Sequence, residues 1–340
     1  MSETIEILSA IGLNEVHQNR IKAVDKRIRL SATNTREMLD LPVEEWKKVE
    51  VLLASGQVLP TREQAPALNW IQLTYAGVER AMQHPIVFEK EITATSASGV
   101  MVSQMGEYVL MALLALAHRL PEAIQFQKEK KWPPNANRTM IPTELRGSTV
   151  GIVGYGSIGR EVARLLYAFG ATVLAAKRNV LQPEDTSYNA QGLGDPQGNY
   201  FHRLYPIEGL KGMLQQCDFV VLTLPLTPET HHLLSAEEFE AIKPGAGLVN
   251  VGRGGLVDEA ALADALRSGK VSAAILDVFE QEPLPEDSAL WSLPNVIITP
   301  HISGLSAKLM DAVVDLFIEN LRRYLAGELL YNLVDAKKGY

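Results

Sequence analysis

The residues of this 340-residue chain with the clearest chemical signature lie in a glycine-rich stretch. An apolar run at residues 150–153 is followed by Gly154, Gly156 and Gly159, and residues 160–169 then place apolar side chains at helical spacing. In a strand–turn–helix unit these glycines permit a tight turn, a close approach of pyrophosphate and close helix packing, and the helix N-terminus attracts phosphate. Glycines also form ordinary turns, but this position between a strand and a helix predicts a dinucleotide site. The predicted coenzyme-binding residues here are Gly154, Tyr155, Gly156, Ser157, Ile158 and Gly159.

Two cations follow the next predicted strand, at residues 171–176. At the end of this strand a dinucleotide fold usually has an acidic residue that binds the adenosine ribose, whereas this chain has Lys177 and Arg178. A carboxylate repels a 2′-phosphate, and two cations attract it. The alternative is a solvated pair at a strand end. The position favours NADP over NAD.

Three further polar residues, Arg253, Glu282 and His301, each stand just past a predicted strand. The carboxyl ends of parallel strands share one edge of a sheet, so the three side chains are expected to converge. Each also has an ordinary explanation, as a surface ion pair, a loop carboxylate or a buried histidine. Together they would provide a cation for an oxyanion, a proton donor and a carboxylate that keeps the donor protonated.

The elements that must position these residues alternate along the chain, which predicts an α/β fold with parallel sheets. Apolar runs predict strands at residues 5–8, 28–30, 49–53, 70–73, 150–153, 171–176, 219–224, 247–251, 273–277 and 295–299. Apolar periodicity predicts helices at residues 15–24, 107–120, 160–169, 259–266 and 308–325, with Pro121 ending the second. Residues 128–142 and 181–205 are predicted to be loops, and the second of these is unusually long.

Composition excludes several classes of protein. The net charge of −8 and the absence of a long basic cluster indicate no nucleic acid and no anionic membrane as partner. The single cysteine, Cys217, excludes an internal disulfide and fits a reducing compartment. No signal peptide is visible at residues 1–6, and the apolar segment at residues 108–117 is too short to cross a bilayer. We therefore expect a cytoplasmic protein, and no metal is expected.

Several stretches, in order along nearly the whole chain, resemble the D-isomer-specific 2-hydroxyacid dehydrogenase family, with glyoxylate/hydroxypyruvate reductases as the nearest type. Besides the glycine-rich turn, they are Glu144–Gly147, Leu224–Thr230, Asn250–Glu259, Leu276–Pro283 and Pro300–Gly304. The resemblance implies a two-domain α/β architecture in which a Rossmann-type coenzyme domain (103–302) is inserted into a flavodoxin-like substrate domain (1–102 and 303–340). It also implies a homodimer.

The resemblance further implies roles for individual residues. Arg253 would bind the carboxylate and carbonyl of a 2-oxoacid, His301 would be the acid/base, and Glu282 its partner. The loop of Ala76, Gly77 and Val78 would hold the substrate carboxylate through backbone N–H groups. The remaining implied coenzyme contacts, which include the nicotinamide carboxamide at Asp277, are Pro225, Thr230, Val251, Gly252, Arg253, Asp277, His301 and Gly304.

Some features depart from the family pattern or leave other activities open. Lys177 and Arg178 replace the usual acidic residue, and residues 181–205 form a longer loop than is typical. Glu282 stands where the formate dehydrogenase branch has Gln, which argues against formate. The absence of an additional cation near residues 53–57 makes a phosphorylated substrate less attractive than glyoxylate or hydroxypyruvate. A corepressor-like nucleotide-binding protein and a phosphite dehydrogenase-like enzyme remain alternatives.

Overall fold

The computed structural model describes residues 4–335, in which strands and helices alternate; the ends of the predicted substrate domain, residues 1–3 and 336–340, lie outside them. The strands are β1 (Ile5–Ser9), β2 (Ile28–Ala32), β3 (Val51–Ala54), β4 (Trp70–Leu73), β5 (Thr93–Thr95), β6 (Thr149–Val153), β7 (Thr172–Ala176), β8 (Arg203–Tyr205), β9 (Phe219–Leu222), β10 (Ala246–Asn250), β11 (Val271–Leu276) and β12 (Val296–Ile298). The α-helices are α1 (Glu15–Lys22), α2 (Thr35–Leu39), α3 (Val43–Trp46), α4 (Val102–Ala117), α5 (Leu120–Lys128), α6 (Ala136–Thr139), α7 (Ser157–Phe169), α8 (Leu210–Leu214), α9 (Ala236–Ala241), α10 (Glu259–Arg267) and α11 (Leu309–Ala326).

The chain forms two compact units, one of residues up to Val100 together with those from Ser306 onward, and one of Met101–Leu305. The first unit contains a parallel sheet in the order β2-β1-β3-β4-β5. This is the flavodoxin-like order 2-1-3-4-5. Its central strands β3 and β4 are buried at every residue, as expected for a parallel sheet that is covered on both faces.

Helix α11 packs on this first sheet although it lies more than 200 residues further along the chain. Phe317 and Tyr324 stack on the fully buried Trp70, with ring centroids 5.2 and 5.5 Å apart. Asn320 donates from Nδ2 to Gln72 Oε1 at 3.0 Å. Burial of such large aromatic surfaces provides the hydrophobic driving force that brings the chain back to its first unit.

The second unit is built on a seven-stranded parallel sheet in the order β12-β11-β10-β9-β6-β7-β8. Counted from β6, the first six strands have the Rossmann order 3-2-1-4-5-6. Alternate residues of β9 belong to different cores: Val220 and Leu222 pack on one face of the sheet, and Phe219 and Val221 on the other. These two parallel sheets with flavodoxin-like and Rossmann strand orders confirm the predicted two-domain α/β fold class. The assignment of substrate and coenzyme to the two units stays a prediction.

Three sequence-based predictions of local structure are wrong. Residues 128–142, predicted to be a loop, contain the short helix α6. Pro121 does not end a helix at residue 120: α4 ends at Ala117, and Pro121 lies in the first turn of α5, where its missing N–H costs no hydrogen bond. The segment at residues 181–205, predicted to be a loop, ends in the strand β8. This strand is formed by hydrogen bonds to the distant strand β7, and its own residues show no apolar pattern that would predict it.

In the part of the chain that the structure describes, no single helix has the length and apolar composition needed to cross a bilayer. Helices α4 and α5 meet those criteria only when taken together, and a bend of 66° separates them.

Candidate active site

The glycine-rich turn joins β6 to α7 with the geometry that its sequence predicts. Gly154 has a φ of +110°, and a Cβ atom there would lie 2.9 Å from Thr223 Oγ1 and 3.0 Å from Leu224 N. A Cβ atom at Gly159 would collide with Gly154 O, so helix and strand pack too closely for a larger residue. By contrast, nothing lies within 4 Å of a Cβ atom at Gly156. The turn therefore leaves open space at the glycine where a pyrophosphate is expected to approach, beside a helix N-terminus with no side-chain cap.

Close backbone contacts connect this turn to the neighbouring segments at the carboxyl edge of the sheet. A Cβ atom at Gly252, after β10, would lie 2.8 Å from Leu224 O, after β9. A Cβ atom at Gly254 would collide with the backbone of Phe279, after β11. The segments that follow β6, β9, β10 and β11 thus form one continuous edge.

His301 and Glu282 are in direct contact at this edge. The Nδ1 atom of His301 lies 2.7 Å from Glu282 Oε2, while Glu282 Oε1 accepts a hydrogen bond of 3.1 Å from Phe279 N–H. His301 has a left-handed φ of 53°, and its own N–H donates to Asp277 O at 2.9 Å. The two side chains are 50% and 36% exposed, so both are accessible to a ligand.

Asp277, a predicted coenzyme ligand, is fully buried. Its carboxylate accepts hydrogen bonds from Thr299 Oγ1 at 2.5 Å, Ile302 N at 2.9 Å and Ser303 N at 2.8 Å. The hydroxyl of Tyr108 lies 2.5 Å from Thr299 Oγ1, and burial raises the pKa of Tyr108. Asp277 thus fixes the loop on which His301 stands, a structural function that the sequence pattern does not reveal. Its contact with nicotinamide stays a prediction.

Arg253 follows β10, the strand next to β11. Its backbone is extended, its carbonyl accepts a hydrogen bond of 3.0 Å from Asn250 Nδ2, and its guanidinium donates to Gly252 O at 2.8 Å. The side chain is half-buried. Since β10, β11 and β12 are adjacent and parallel, Arg253, Glu282 and His301 follow three neighbouring strands at one edge, and the last two are in contact.

The other predicted coenzyme residues at this edge are engaged in shaping their loops. Thr230, which is 8% exposed, donates from Oγ1 to Pro225 O at 2.8 Å. Val251 is buried, and its N–H donates to Leu222 O. Gly304 accepts a hydrogen bond of 3.0 Å from Gln104 Nε2 at its carbonyl oxygen. Their hydrogen bonds fix the backbone of the loops that would surround a coenzyme.

The two cations after β7 differ in their surroundings. Lys177 is half-buried and donates from Nζ to Gln182 O at 2.6 Å. Burial and the nearby Arg160 charge lower the pKa of Lys177. Arg178 is exposed. Both follow the strand next to β6, at the edge where the adenosine end of a dinucleotide is expected.

Ala76, Gly77 and Val78 belong to the first unit, where they follow β4. Within residues 4–335, none of their three N–H groups has a hydrogen-bond partner. Successive N–H groups without partners can bind an anion. Among the described residues, no group of three or more His, Cys, Asp or Glu side chains is placed to hold a metal ion.

Comparisons with known proteins agree with this arrangement. Residues 110–303 match the family model for the NAD-binding domain of D-isomer-specific 2-hydroxyacid dehydrogenases. Glyoxylate/hydroxypyruvate reductase B of Citrobacter koseri is 36% identical over 302 residues, which are 88% of each chain. D-3-phosphoglycerate dehydrogenase of Methanocaldococcus jannaschii is 30% identical over 325 residues, which cover 94% of this chain and only 58% of that protein. The crystal structure of a D-isomer-specific 2-hydroxyacid dehydrogenase from Xanthobacter autotrophicus in complex with NADPH and MES has a TM-score of 0.79, 28% identity and full coverage of both chains.

Proposed function

Because the chain belongs to the D-isomer-specific 2-hydroxyacid dehydrogenase family, we propose that it reduces a small 2-oxoacid to the D-2-hydroxyacid. Members of this family are oxidoreductases that act on 2-hydroxyacids with NAD or NADP. Glyoxylate and hydroxypyruvate are the proposed substrates, because a reductase of both is among the similar proteins and matches most of this chain.

The contact between Glu282 and His301 is the observation that carries the proposal. A reduced nicotinamide coenzyme, when bound, would supply a hydride to C2 of the oxoacid, and negative charge would develop on the carbonyl oxygen. His301 donates a proton to this oxygen from Nε2, since Nδ1 is the ring nitrogen that meets Glu282 at 2.7 Å. The Glu282 carboxylate accepts a hydrogen bond from Nδ1–H, which fixes the ring orientation and places a negative charge next to the ring that donates the proton.

Arg253 binds the oxoacid in this proposal. Its planar guanidinium can hold the substrate carboxylate with two parallel hydrogen bonds and also stabilise the developing oxyanion. The N–H groups of Ala76, Gly77 and Val78, which lack partners within residues 4–335, are the proposed additional donors to the carboxylate.

NADP is the proposed preferred coenzyme. The open space at Gly156 fits a pyrophosphate, and Lys177 and Arg178 offer positive charge for the 2′-phosphate. A charge-assisted hydrogen bond contributes roughly 1.5–3 kcal/mol, so this preference should amount to about tenfold or more in affinity.

Comparative kinetics tests the proposal. The chain is assayed with NADPH and with NADH against glyoxylate, hydroxypyruvate, pyruvate and phenylpyruvate, by the loss of reduced-coenzyme absorbance. We expect the highest kcat/KM for glyoxylate or hydroxypyruvate with NADPH. Equal efficiency with both coenzymes would refute the roles of Lys177 and Arg178.

The same assay distinguishes the other activities. A D-3-phosphoglycerate dehydrogenase is also among the similar proteins, so D-3-phosphoglycerate with NAD⁺ or NADP⁺ belongs in the panel. Turnover of phosphite alone would indicate the phosphite dehydrogenase-like alternative. Coenzyme binding without turnover of any substrate would favour a corepressor-like binding protein. The homodimer stays a prediction, which sedimentation equilibrium can test, and so does the cytoplasmic location.

A further inference from the structure

The segment of residues 181–205, which we term the insertion, begins and ends at the carboxyl edge of the second sheet. It follows Lys177 and Arg178, and it returns to the sheet as β8, which pairs in parallel with β7. The backbone N–H of Lys177 donates to Tyr205 O at 3.0 Å, so the last residue of the insertion lies beside the cation that precedes its start. This position places the insertion next to the proposed adenosine site.

A buried arginine in the first turns of α7 holds both limbs of the insertion. Arg160 directly follows the third glycine of the coenzyme turn and is 1% exposed. Its guanidinium donates to Pro183 O at 2.7 Å in the outgoing limb and to Asp195 O at 2.5 Å in the returning limb. Because burial of a guanidinium is costly unless it is well hydrogen-bonded, these contacts tie the insertion to the coenzyme-binding helix.

The insertion also holds Tyr155, which stands between the first two glycines. Tyr155 is 2% exposed and donates from its hydroxyl to Asp195 Oδ2 at 2.6 Å, and its ring packs edge-on against Phe201 at 5.3 Å. Asp195 is itself 1% exposed and accepts hydrogen bonds from Asn199 N at 2.7 Å and Tyr200 N at 3.0 Å. The conformation of the glycine-rich turn thus depends on a buried carboxylate 40 residues away in sequence.

The insertion makes a third contact through Gln182, whose carbonyl oxygen accepts the 2.6 Å hydrogen bond from Lys177 Nζ. This bond restricts an otherwise flexible side chain and leaves the ammonium with further N–H donors for a ligand. Fixing a cation before binding avoids the entropy cost of ordering it on the ligand.

We propose that the insertion is a coenzyme-positioning element, which holds the glycine-rich turn through Tyr155 and Arg160 and holds Lys177 in place for a 2′-phosphate. This inference rests on the proposed function, because it concerns the same coenzyme site. Tyr155, Arg160 and Asp195 act on the coenzyme through the shape of the turn, so they are positioning residues.

Coenzyme titration of two conservative variants of the full chain tests the inference. Tyr155→Phe removes the hydroxyl and retains the ring packing on Phe201. Asp195→Asn retains the side-chain size but replaces an accepting oxygen by a donor amide. We expect the Kd of NADPH, followed by its fluorescence, to rise about tenfold in each variant, and the Kd of NADH to rise less, because only NADPH also uses Lys177. The control Tyr167→Phe, on the exposed side of the same helix, should leave both Kd values unchanged.

The outcomes separate this inference from the proposed function. Kd values within twofold of the unchanged chain, in variants with an unchanged melting temperature, would overturn the positioning role. An equal loss of affinity for both coenzymes would overturn the part that concerns Lys177. Should Asp195→Asn fail to fold, Tyr155→Phe decides alone. Weakened NADPH binding in the variants, together with no turnover of any 2-oxoacid by the unchanged chain, would support the positioning role and refute the proposed reductase.

Discussion

Replacement of Glu282 by Gln is the sharpest test of the proposed proton donor. Glu282 accepts two hydrogen bonds, one at Oε2 from the His301 ring and one at Oε1 from Phe279 N–H. Glutamine has the same shape but only one accepting oxygen. When the His301 ring is protonated at Nδ1, as the proton donor requires, the amide NH₂ faces either this N–H or the Phe279 N–H whichever way it is turned, so one of the two hydrogen bonds is lost.

The expected loss of activity in Glu282→Gln depends on how exposed the His301 and Glu282 side chains are. A hydrogen bond between charged groups contributes roughly 1.5–3 kcal/mol. Since the His301 and Glu282 side chains are 50% and 36% exposed, solvent screening favours the lower end of this range. We therefore expect kcat/KM for the oxoacid to fall about tenfold in Glu282→Gln. Loss of the acid itself, in His301→Gln, should cost about 10²–10⁴.

The assay is steady-state reduction of hydroxypyruvate at saturating NADPH, with the melting temperature measured in parallel. Glu280→Gln is the matched control, because Glu280 lies two residues away and contacts Glu259 N–H and His232 rather than His301. It should retain kcat/KM within about twofold, the scale expected of a side chain outside the reaction. Full activity of a folded Glu282→Gln, with His301→Gln inactive, would refute the partnership.

Arg253→Lys should raise KM for the oxoacid about tenfold, because an ammonium cannot replace the planar fork, and an unchanged KM would contradict carboxylate binding. Gly254→Ala should destabilise the fold by about 1–3 kcal/mol, because its Cβ would overlap the backbone of Phe279. Gly212→Ala, where no atom lies within 4 Å of the new Cβ, should instead stabilise α8 by about 0.5–1 kcal/mol. Thermal unfolding compares the two, and equal shifts would contradict the packing explanation. Burial raises the pKa of the Cys217 thiol to about 12, so a thiol reagent should label it only after denaturation. Rapid labelling of the native chain would show that this thiol is accessible.

Sequence patterns predict the central strands well because burial on both faces leaves a continuous apolar run. The strand predicted at residues 70–73 is β4 in the structure, and all four of its residues are buried. The short elements are harder to predict. β8 has three residues and only Tyr205 is buried, so its pairing with β7 depends on the folded sheet and not on a local pattern.

The residues of the predicted site also fall into those that a local pattern predicts and those that depend on distant contacts. The glycine spacing directly encodes the turn, because the positive φ of Gly154 and the close approach of Gly159 to Gly154 O both act within a few residues. Arg160 and Asp195 look like ordinary charged residues in the sequence, since their contacts join positions 35 residues apart. One feature of the sequence does indicate the role of Arg160. It directly follows Gly159, which packs tightly on a strand, so its side chain has little room to reach solvent and is expected to have a buried partner.

The conformation of His301 shows why the proposed acid needs support from outside its own loop. A left-handed φ of 53° is unfavourable for a residue with a Cβ atom, at a cost of order 1–3 kcal/mol. The backbone of Asp277 accepts the His301 N–H, the Asp277 carboxylate binds the next two N–H groups, and Glu282 holds the ring. These hydrogen bonds can offset the strain only if Asp277 keeps its acceptors. The buried carboxylate therefore determines where the imidazole points, and the strained backbone presents the ring beside Glu282.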